Sequence, residues 1–161
     1  MKNRLTKNLI ERYSRQIVLK DVGISGQKAI INSKVLIVGV GGLGCPVVDY
    51  LSRAGVGTLG IADHDKVNLS NIHRQSLYDS KDVGKYKVEA IKNKIKKINP
   101  STKFKLFKKK INENNFKNII NNFDIVVDGS DNFQTKFLLN KYAIKLKKKL
   151  IIGAISKFDG H

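Results

Sequence analysis

The stretch that decides the fold is Val35-Leu36-Ile37-Val38-Gly39-Val40-Gly41-Gly42-Leu43-Gly44. Four consecutive apolar residues predict a buried strand, and the glycines after it give the pattern G-x-G-x-x-G at Gly39, Gly41 and Gly44. In such a turn the first glycine permits a tight bend, the second lets a phosphate approach the backbone, and the third lets the following helix pack on the strand. The stretch therefore predicts a strand–turn–helix unit that can hold a phosphate at a helix N-terminus.

An acidic residue further along supports nucleotide binding at this turn. Asp63 ends the second predicted strand, 19 residues after Gly44. At about that spacing a carboxylate accepts hydrogen bonds from ribose hydroxyls in dinucleotide-binding folds. Because these features suit NAD and ATP equally, the choice between them depends on other residues.

Short apolar runs alternate with longer amphipathic ones along the whole chain, which predicts an α/β fold, Rossmann-like, with a mainly parallel sheet and flanking helices. We expect residues 1–33 to form a short N-terminal helical segment with one or two helices, and residues 34–161 a nucleotide-binding domain. The predicted strands are Lys34–Gly39, Thr58–Asp63, Lys103–Phe107, Asp124–Asp128 and Leu150–Gly153. The predicted helices are Gly42–Ala54, Lys85–Ile98, Glu113–Asn122 and Asn132–Leu146.

Composition narrows the function classes. The formal net charge is +18, but the lysines are scattered and few aromatic residues lie among them, so nucleic acid binding is not the predicted function. The single cysteine, Cys45, excludes an internal disulfide and a cysteine-based zinc site, and we expect it to pack at the start of a helix.

No apolar run is long enough for a membrane span, and the basic start leads into Glu11 instead of a signal-peptide core. A cytoplasmic protein is expected.

The polar loop after Asp63 favours a triphosphate over NAD. Residues 68–75 read Asn-Leu-Ser-Asn-Ile-His-Arg-Gln, and Lys85 and Lys87 follow shortly afterwards. Arg74 offers a planar fork of donors and a lysine a compact positive charge, both suited to phosphates. A dehydrogenase needs one pyrophosphate site and an apolar slot for nicotinamide, which this loop does not offer.

Six motifs occur in a fixed order along the chain: Arg12-Tyr13-Ser14-Arg15-Gln16-Ile17, the turn Gly39–Gly44, Ala54-Gly55-Val56-Gly57, Leu69-Ser70-Asn71-Ile72-His73-Arg74-Gln75, Gly84-Lys85-Tyr86-Lys87 and Asp128-Gly129-Ser130-Asp131-Asn132. Together they resemble the ThiF/MoeB/HesA family, the bacterial relatives of ubiquitin-activating enzymes. The resemblance implies an adenylyltransferase that uses Mg-ATP on the C-terminal glycine of a ubiquitin-fold sulfur carrier, ThiS- or MoaD-like, in thiamine or molybdopterin synthesis.

The resemblance also implies roles for individual residues. Asp63 would hold the ATP ribose and Asp131 would bind Mg²⁺, while Arg15 would reach into the partner subunit's site of a homodimer. The backbone contacts to the phosphates would come from Gly41 and Gly42, and neutralisation of the triphosphate from Asn71, Arg74 and Lys87. The alternatives are a helix N-cap for Asp131 and a solvated surface position for Lys87.

The sequence departs from the family pattern after residue 161. The family's second half, with its two zinc-binding C-x-x-C pairs and further strands, is not present, so no zinc is expected and the domain at 34–161 is expected to be truncated at its C-terminus. We expect an incomplete carrier-binding groove and an exposed edge with apolar surface at the fifth strand. Three origins stay open: a fragment, a decayed gene product, or a short form completed by a partner chain. Two functional alternatives also stay open, a non-catalytic ATP-binding module and an NAD-dependent oxidoreductase, the latter disfavoured by Arg74, Lys87 and Asp131.

Overall fold

A computed structural model of the protein describes residues 5–161, so the first four residues of the predicted N-terminal segment lie outside the described part. Five parallel strands form one sheet in the order β3-β2-β1-β4-β5. The strands are β1 Lys34–Val38, β2 Thr58–Ala62, β3 Lys103–Phe107, β4 Ile125–Asp128 and β5 Lys149–Ile152, followed by a hairpin of β6 Ile155–Ser156 and β7 Asp159–Gly160. The helices are α1 Lys7–Arg12, α2 Ser14–Ile17, α3 Gly23–Asn32, α4 Gly44–Ala54, α5 Lys87–Ile98, α6 Glu113–Ile120 and α7 Phe133–Lys145, with 3₁₀ turns at Leu69–Asn71 and Ser80–Asp82.

The predicted fold class is confirmed, and each predicted strand and long helix lies within two residues of the observed bounds. The N-terminal segment differs, because its described part, residues 5–33, contains three helices instead of one or two. Tyr13 separates the first two helices with a non-helical backbone. Its side chain is only 3% exposed and its hydroxyl accepts a hydrogen bond from Asn99 Nδ2 (3.0 Å). This contact, 86 residues away in the chain, is one that local sequence patterns do not reveal.

Helices cover both faces of the sheet. On one face, Ile37 and Ile61 pack with α4 and α5, whereas on the other Leu36 and Val126 pack with α6 and α7. Parallel strands buried on both faces are apolar at successive positions, which is the pattern of residues 35–38. The core therefore consists of two layers separated by the sheet.

The strand order places a crevice next to the glycine-rich turn. The chain moves from β1 outward through β2 to β3, and then returns to add β4 and β5 on the other side of β1. At such a reversal the loops after the two central strands diverge, and ligands bind outside the carboxyl ends of the strands. The loops that follow β1 and β4 flank this crevice, and they are residues 39–43 and 129–132.

Apolar side chains remain exposed at the edge strand β5. Ile151 is 56% exposed and Ile152 is 45% exposed, which agrees with the apolar surface predicted at the fifth strand. Across residues 5–161, the longest stretch of helix is too short and too polar to cross a bilayer.

Candidate nucleotide-binding site

The three glycines of the turn differ in what a side chain would meet at each position. Gly39 adopts a φ of 82°, a left-handed conformation that a side chain would strain. A methyl group on Gly44 would lie 2.0 Å from the carbonyl oxygen of Gly39, so only glycine lets α4 start this close to β1. A methyl group on Gly41 would meet only Gln75 Nε2, at 3.6 Å. Gly41 is therefore not required for packing and leaves its backbone open to a ligand.

The turn is held by hydrogen bonds to both backbone polar groups of Val40. Its N–H donates to Asp63 Oδ2 (2.9 Å), and its carbonyl oxygen accepts from the Tyr78 hydroxyl (2.8 Å) and from Cys45 Sγ (3.3 Å). Asp63 Oδ1 accepts a second backbone hydrogen bond, from Asp65 N (2.8 Å). A carboxylate can accept about four hydrogen bonds, so Asp63 keeps capacity for ribose hydroxyls while it fixes the turn.

The loop after β2 brings Arg74 against the glycine turn. A methyl group on Gly42 would lie 3.9 Å from Arg74 Cγ, and Arg74 Nη1 donates to the carbonyl oxygen of Ser70 (3.0 Å). Asn71 accepts from the backbone N–H of Asn68 (3.2 Å) in a capping box, and this fixes the 3₁₀ turn that carries the arginine. The exposed guanidinium is thereby placed beside the open part of the glycine turn.

Lys87 is buried, so the alternative of a solvated surface lysine is wrong. Its side chain is only 7% exposed, and its ammonium group lies 2.9 Å from Asp65 Oδ2. The backbone N–H of Lys87 also donates to the carbonyl oxygen of Asp65 (3.0 Å). A buried ammonium group needs a partner to offset its lost hydration, and Asp65 supplies it. The pair joins the start of α5 to the segment that follows β2.

Asp131 does not cap α7, so the alternative of a helix N-cap at this residue is also wrong. The cap is Asn132, whose Oδ1 accepts from the backbone N–H of Thr135 (2.9 Å). Asp131 is exposed, just after the carboxyl end of β4. Its carboxylate oxygens are the kind of ligand that Mg²⁺ takes together with water and phosphate.

Arg15 lies away from this group of residues within the chain. It is exposed on α2, and the neighbouring Gln16 donates to the carbonyl oxygen of Ala54 at the end of α4 (3.1 Å). The glycine turn lies at the other end of that helix, about 15 Å away at the helical rise. Within residues 5–161 the Arg15 guanidinium has no hydrogen-bond partner. The structure brings Asp63 and Arg74 into contact with the turn, whereas Arg15 lies at the far end of α4 from it.

A cluster of possible metal ligands also follows β2, at Asp63, His64 and Asp65, whose donor atoms all lie within 4.8 Å of one another. Asp63 already accepts two backbone hydrogen bonds, and Asp65 pairs with Lys87. These contacts account for the cluster without an ion.

Gln75 is a site residue to which sequence reasoning assigned no role. It is 4% exposed and lies directly beside Gly41, and its Oε1 is buried with no partner among the described residues. A buried amide oxygen without a partner is costly unless a ligand or water meets it. A polar residue in a loop gives no periodic signal, so only its burial reveals it.

A cavity of about 660 Å³ opens between α6 and α7, on the side where both helices begin. Its lining combines Ile111 and Leu138 with the polar groups of Asn112 and Thr135. At its rim, hydrogen bonds from Lys141 and from the Tyr142 hydroxyl hold the pKa of Glu113 below its usual value. The cavity lies toward the carboxyl ends of β3 and β4, because α6 and α7 begin after these strands.

Cys45 provides a prediction about thiol reactivity. The thiol is fully buried under the turn, and burial raises its pKa, so it stays protonated at pH values where a free thiol ionises. We expect iodoacetamide at pH 8.5 to modify native Cys45 on the order of 100-fold more slowly than the same residue in 8 M urea, because reaction requires local opening. Mass spectrometry over time measures both rates, and equal rates would contradict burial.

The chain is similar to known proteins in both sequence and structure. The sequence matches the ThiF family over residues 13–161. It is 42% identical over 157 residues to the sulfur carrier protein adenylyltransferase of Thermus thermophilus, covering 98% of this chain and 58% of that protein. It is 44% identical over 151 residues to a probable molybdopterin-synthase adenylyltransferase of Gracilaria tenuistipitata var. liui, covering 94% of this chain and 42% of that protein. The chain thus spans about half the length of these relatives.

Solved structures show the same fold. Escherichia coli MccB in complex with AMPCPP and MccA is 30% identical with a TM-score of 0.79, covering 89% of this chain and 44% of that one. Escherichia coli tRNA N6-threonylcarbamoyladenosine dehydratase, TcdA, in complex with ATP is 22% identical with a TM-score of 0.87, covering 97% of this chain and 65% of that one. At the identity of the second, the likeness concerns the fold alone.

Proposed function

The chain belongs to the ThiF family, and on that premise we propose that it is the ATP-binding part of an enzyme that adenylates the C-terminal glycine carboxylate of a ubiquitin-fold sulfur carrier protein. Relatives of similar sequence carry the names sulfur carrier protein adenylyltransferase and molybdopterin-synthase adenylyltransferase. A ThiS-like carrier would place the reaction in thiamine synthesis, and a MoaD-like carrier in molybdopterin synthesis.

One observation carries the proposal: Arg74 lies against Gly42, beside the open backbone of Gly41. Exposed backbone and an arginine at the same crevice suit a chain of phosphates, because the guanidinium fork donates to several phosphate oxygens at once. The buried ammonium group of Lys87 adds a second positive charge after the same loop. NAD carries only two phosphates and needs an apolar slot for its nicotinamide, so this arrangement favours ATP.

Each residue then has a proposed role. Asp63 accepts hydrogen bonds from the ribose while it holds the turn, and Gly41 and Gly42 allow the phosphates to approach the backbone. Three side chains neutralise the triphosphate: Asn71, Arg74 and Lys87. Asp131 fits Mg²⁺ because its exposed carboxylate follows β4 and is not used as a helix cap. Mg²⁺ held there would neutralise part of the phosphate charge.

The reaction requires alignment of the carrier carboxylate with the α-phosphate more than it requires a general base. The carrier carboxylate is already ionised near neutral pH, and its oxygen forms a bond to the α-phosphorus while the bond to the bridging oxygen breaks and pyrophosphate leaves. Negative charge accumulates on the phosphate oxygens in the transition state, where Arg74 and Lys87 stabilise it.

We further propose that the segment 1–33 presents Arg15 to the domain 34–161 of a second copy in a homodimer, since Arg15 lies at the far end of α4 from its own turn.

The proposal is tested first by nucleotide binding. Isothermal titration of the chain with ATP and with NAD, each with 5 mM MgCl₂, should show binding of ATP and not of NAD. Binding of NAD alone would overturn the proposal in favour of an oxidoreductase.

The second test is ATP–pyrophosphate exchange with purified carriers. Exchange that requires a ThiS-like or a MoaD-like carrier supports adenylation and identifies the branch. The control is a carrier that lacks its C-terminal glycine, which should give no exchange. Binding of ATP without exchange by either carrier would assign the chain as a non-catalytic ATP-binding module.

A further inference from the structure

A buried ion pair lies under the loop that carries Asp131. The Asp128 side chain is fully buried at the carboxyl end of β4, and its Oδ2 lies 3.0 Å from Lys136 Nζ on α7. Its Oδ1 accepts from both the backbone N–H (2.9 Å) and the hydroxyl of Ser130 (2.6 Å). Lys136 Nζ also donates to the carbonyl oxygen of Gly153, just after β5 (2.8 Å). One ammonium group therefore joins β4, α7 and the end of β5.

The same loop is pressed against the glycine-rich turn. The backbone N–H of Gly129 donates to the carbonyl oxygen of Val38 (2.8 Å). A methyl group on Gly129 would lie 2.8 Å from the carbonyl oxygen of Gly39 and 3.1 Å from Gly44 N. Because so little space separates Gly129 from the glycine-rich turn, a shift of the Asp128–Asp131 loop would displace either the turn or Asp131.

We propose that Lys136 is a positioning residue for the adenylation reaction, acting through Asp128 to fix the Asp128–Asp131 loop and so to place the Asp131 carboxylate at the nucleotide crevice. The inference rests on the proposed function. An unpaired carboxylate at the position of Asp128 would draw in water or move outward, and the hydrogen bonds to Ser130 would move with it. Groups that orient metal ligands in this way influence metal affinity about 10–100-fold.

The test compares Lys136→Met, which keeps the aliphatic stem and removes the charge, with Lys136→Arg, which keeps it. Calorimetry with ATP at increasing Mn²⁺ gives the free metal concentration for half-maximal ATP binding. We expect it to rise about 10–100-fold in Lys136→Met and to return to within about threefold of the unaltered chain in Lys136→Arg. The matched control is Lys145→Met, on the exposed last turn of the same helix, which should leave it unchanged.

A second measurement needs no nucleotide. Amide exchange by NMR at Gly129, Ser130 and Gly153 reports the loop directly, and we expect it to be at least about tenfold faster in Lys136→Met. If Lys136→Met proves too unstable, the double variant Asp128→Asn with Lys136→Met leaves no unpaired carboxylate, and loss of the Lys136 hydrogen bond to Gly153 should still speed amide exchange at Gly153.

The outcomes separate the two proposals. Amide exchange and metal dependence that match the unaltered chain in Lys136→Met would overturn the positioning role even where Mg-ATP binds normally. Failure of the unaltered chain to bind Mg-ATP would instead overturn the proposed function, whatever the amide exchange of the loop.

Discussion

Replacing Arg74 with alanine is expected to lower the carrier-dependent rate of ATP–pyrophosphate exchange by about 10²–10³-fold, the usual cost of removing one donor that stabilises transition-state charge. The reason is the position of the side chain, which crosses the turn beside Gly42 and ends in an exposed guanidinium. The exchange assay with saturating carrier measures the effect, and calorimetry shows how much of it is lost ATP affinity.

The control for Arg74→Ala is Arg53→Ala. Arg53 is also a half-exposed arginine, but it lies in the last turn of α4 and pairs with Asp49 (2.8 Å). Removing it lowers the net charge by the same amount without touching the crevice. If both variants slowed exchange equally, general electrostatic attraction of ATP would explain the result, and the assignment of Arg74 would fail.

Replacing Gly44 with alanine is expected to destabilise the fold by about 3 kcal/mol or more, at the upper end of the cost of overpacking. The added methyl group would lie 2.0 Å from the carbonyl oxygen of Gly39, a backbone atom that cannot rotate away. Helix propensity acts in the opposite direction, because alanine is favoured over glycine in a helix by about 1 kcal/mol. Urea denaturation measures the free energy of unfolding, and a variant as stable as the unaltered chain would show that α4 can move off β1.

Gly41→Ala, in the same turn, separates packing from ligand binding. Its methyl group would meet only Gln75 Nε2, at an ordinary contact distance of 3.6 Å. We expect the free energy of unfolding to change by less than about 0.5 kcal/mol. Binding of Mg-ATP should nevertheless weaken, because the methyl group would stand where a phosphate approaches the backbone. An unfolded Gly41→Ala would contradict the separate roles proposed for the two glycines.

The sequence predicts the elements well because their signals are local. Val35 to Val38 are apolar at successive positions, and Val88, Ile91 and Ile95 recur at helical spacing, so the strand and the helix follow from burial alone. The glycine pattern likewise indicates the turn, since the close approach of Gly44 to Gly39 joins residues only five positions apart. The break at Tyr13 could not be predicted, because it depends on Asn99.

The roles of charged residues were harder to predict, because burial and pairing depend on distant parts of the chain. By residue type Lys87 would be expected in solvent, and only the packing shows that it is buried against Asp65. Asp131 and Asn132 are equally good helix caps by residue type, and only the backbone shows that Asn132 is used. Lys136 carries no sequence signal at all, since its importance arises from the convergence of β4, α7 and β5.

The sequence by itself determined the strand–turn–helix unit at residues 35–54, the α/β class and the family resemblance, because each depends on residue types at fixed short spacings. The tertiary structure decided the strand order, which sets the loops after β1 and β4 on either side of one crevice. It also decided which polar groups meet there, since Asp63 reaches Val40 from the end of the neighbouring strand, Arg74 reaches Gly42, and Asp128 pairs with Lys136 across the loop between β4 and α7. The physical reason is that a charged or polar side chain needs a partner once it is buried. Which side chains are buried, and which groups lie next to them, depends on the assembled fold.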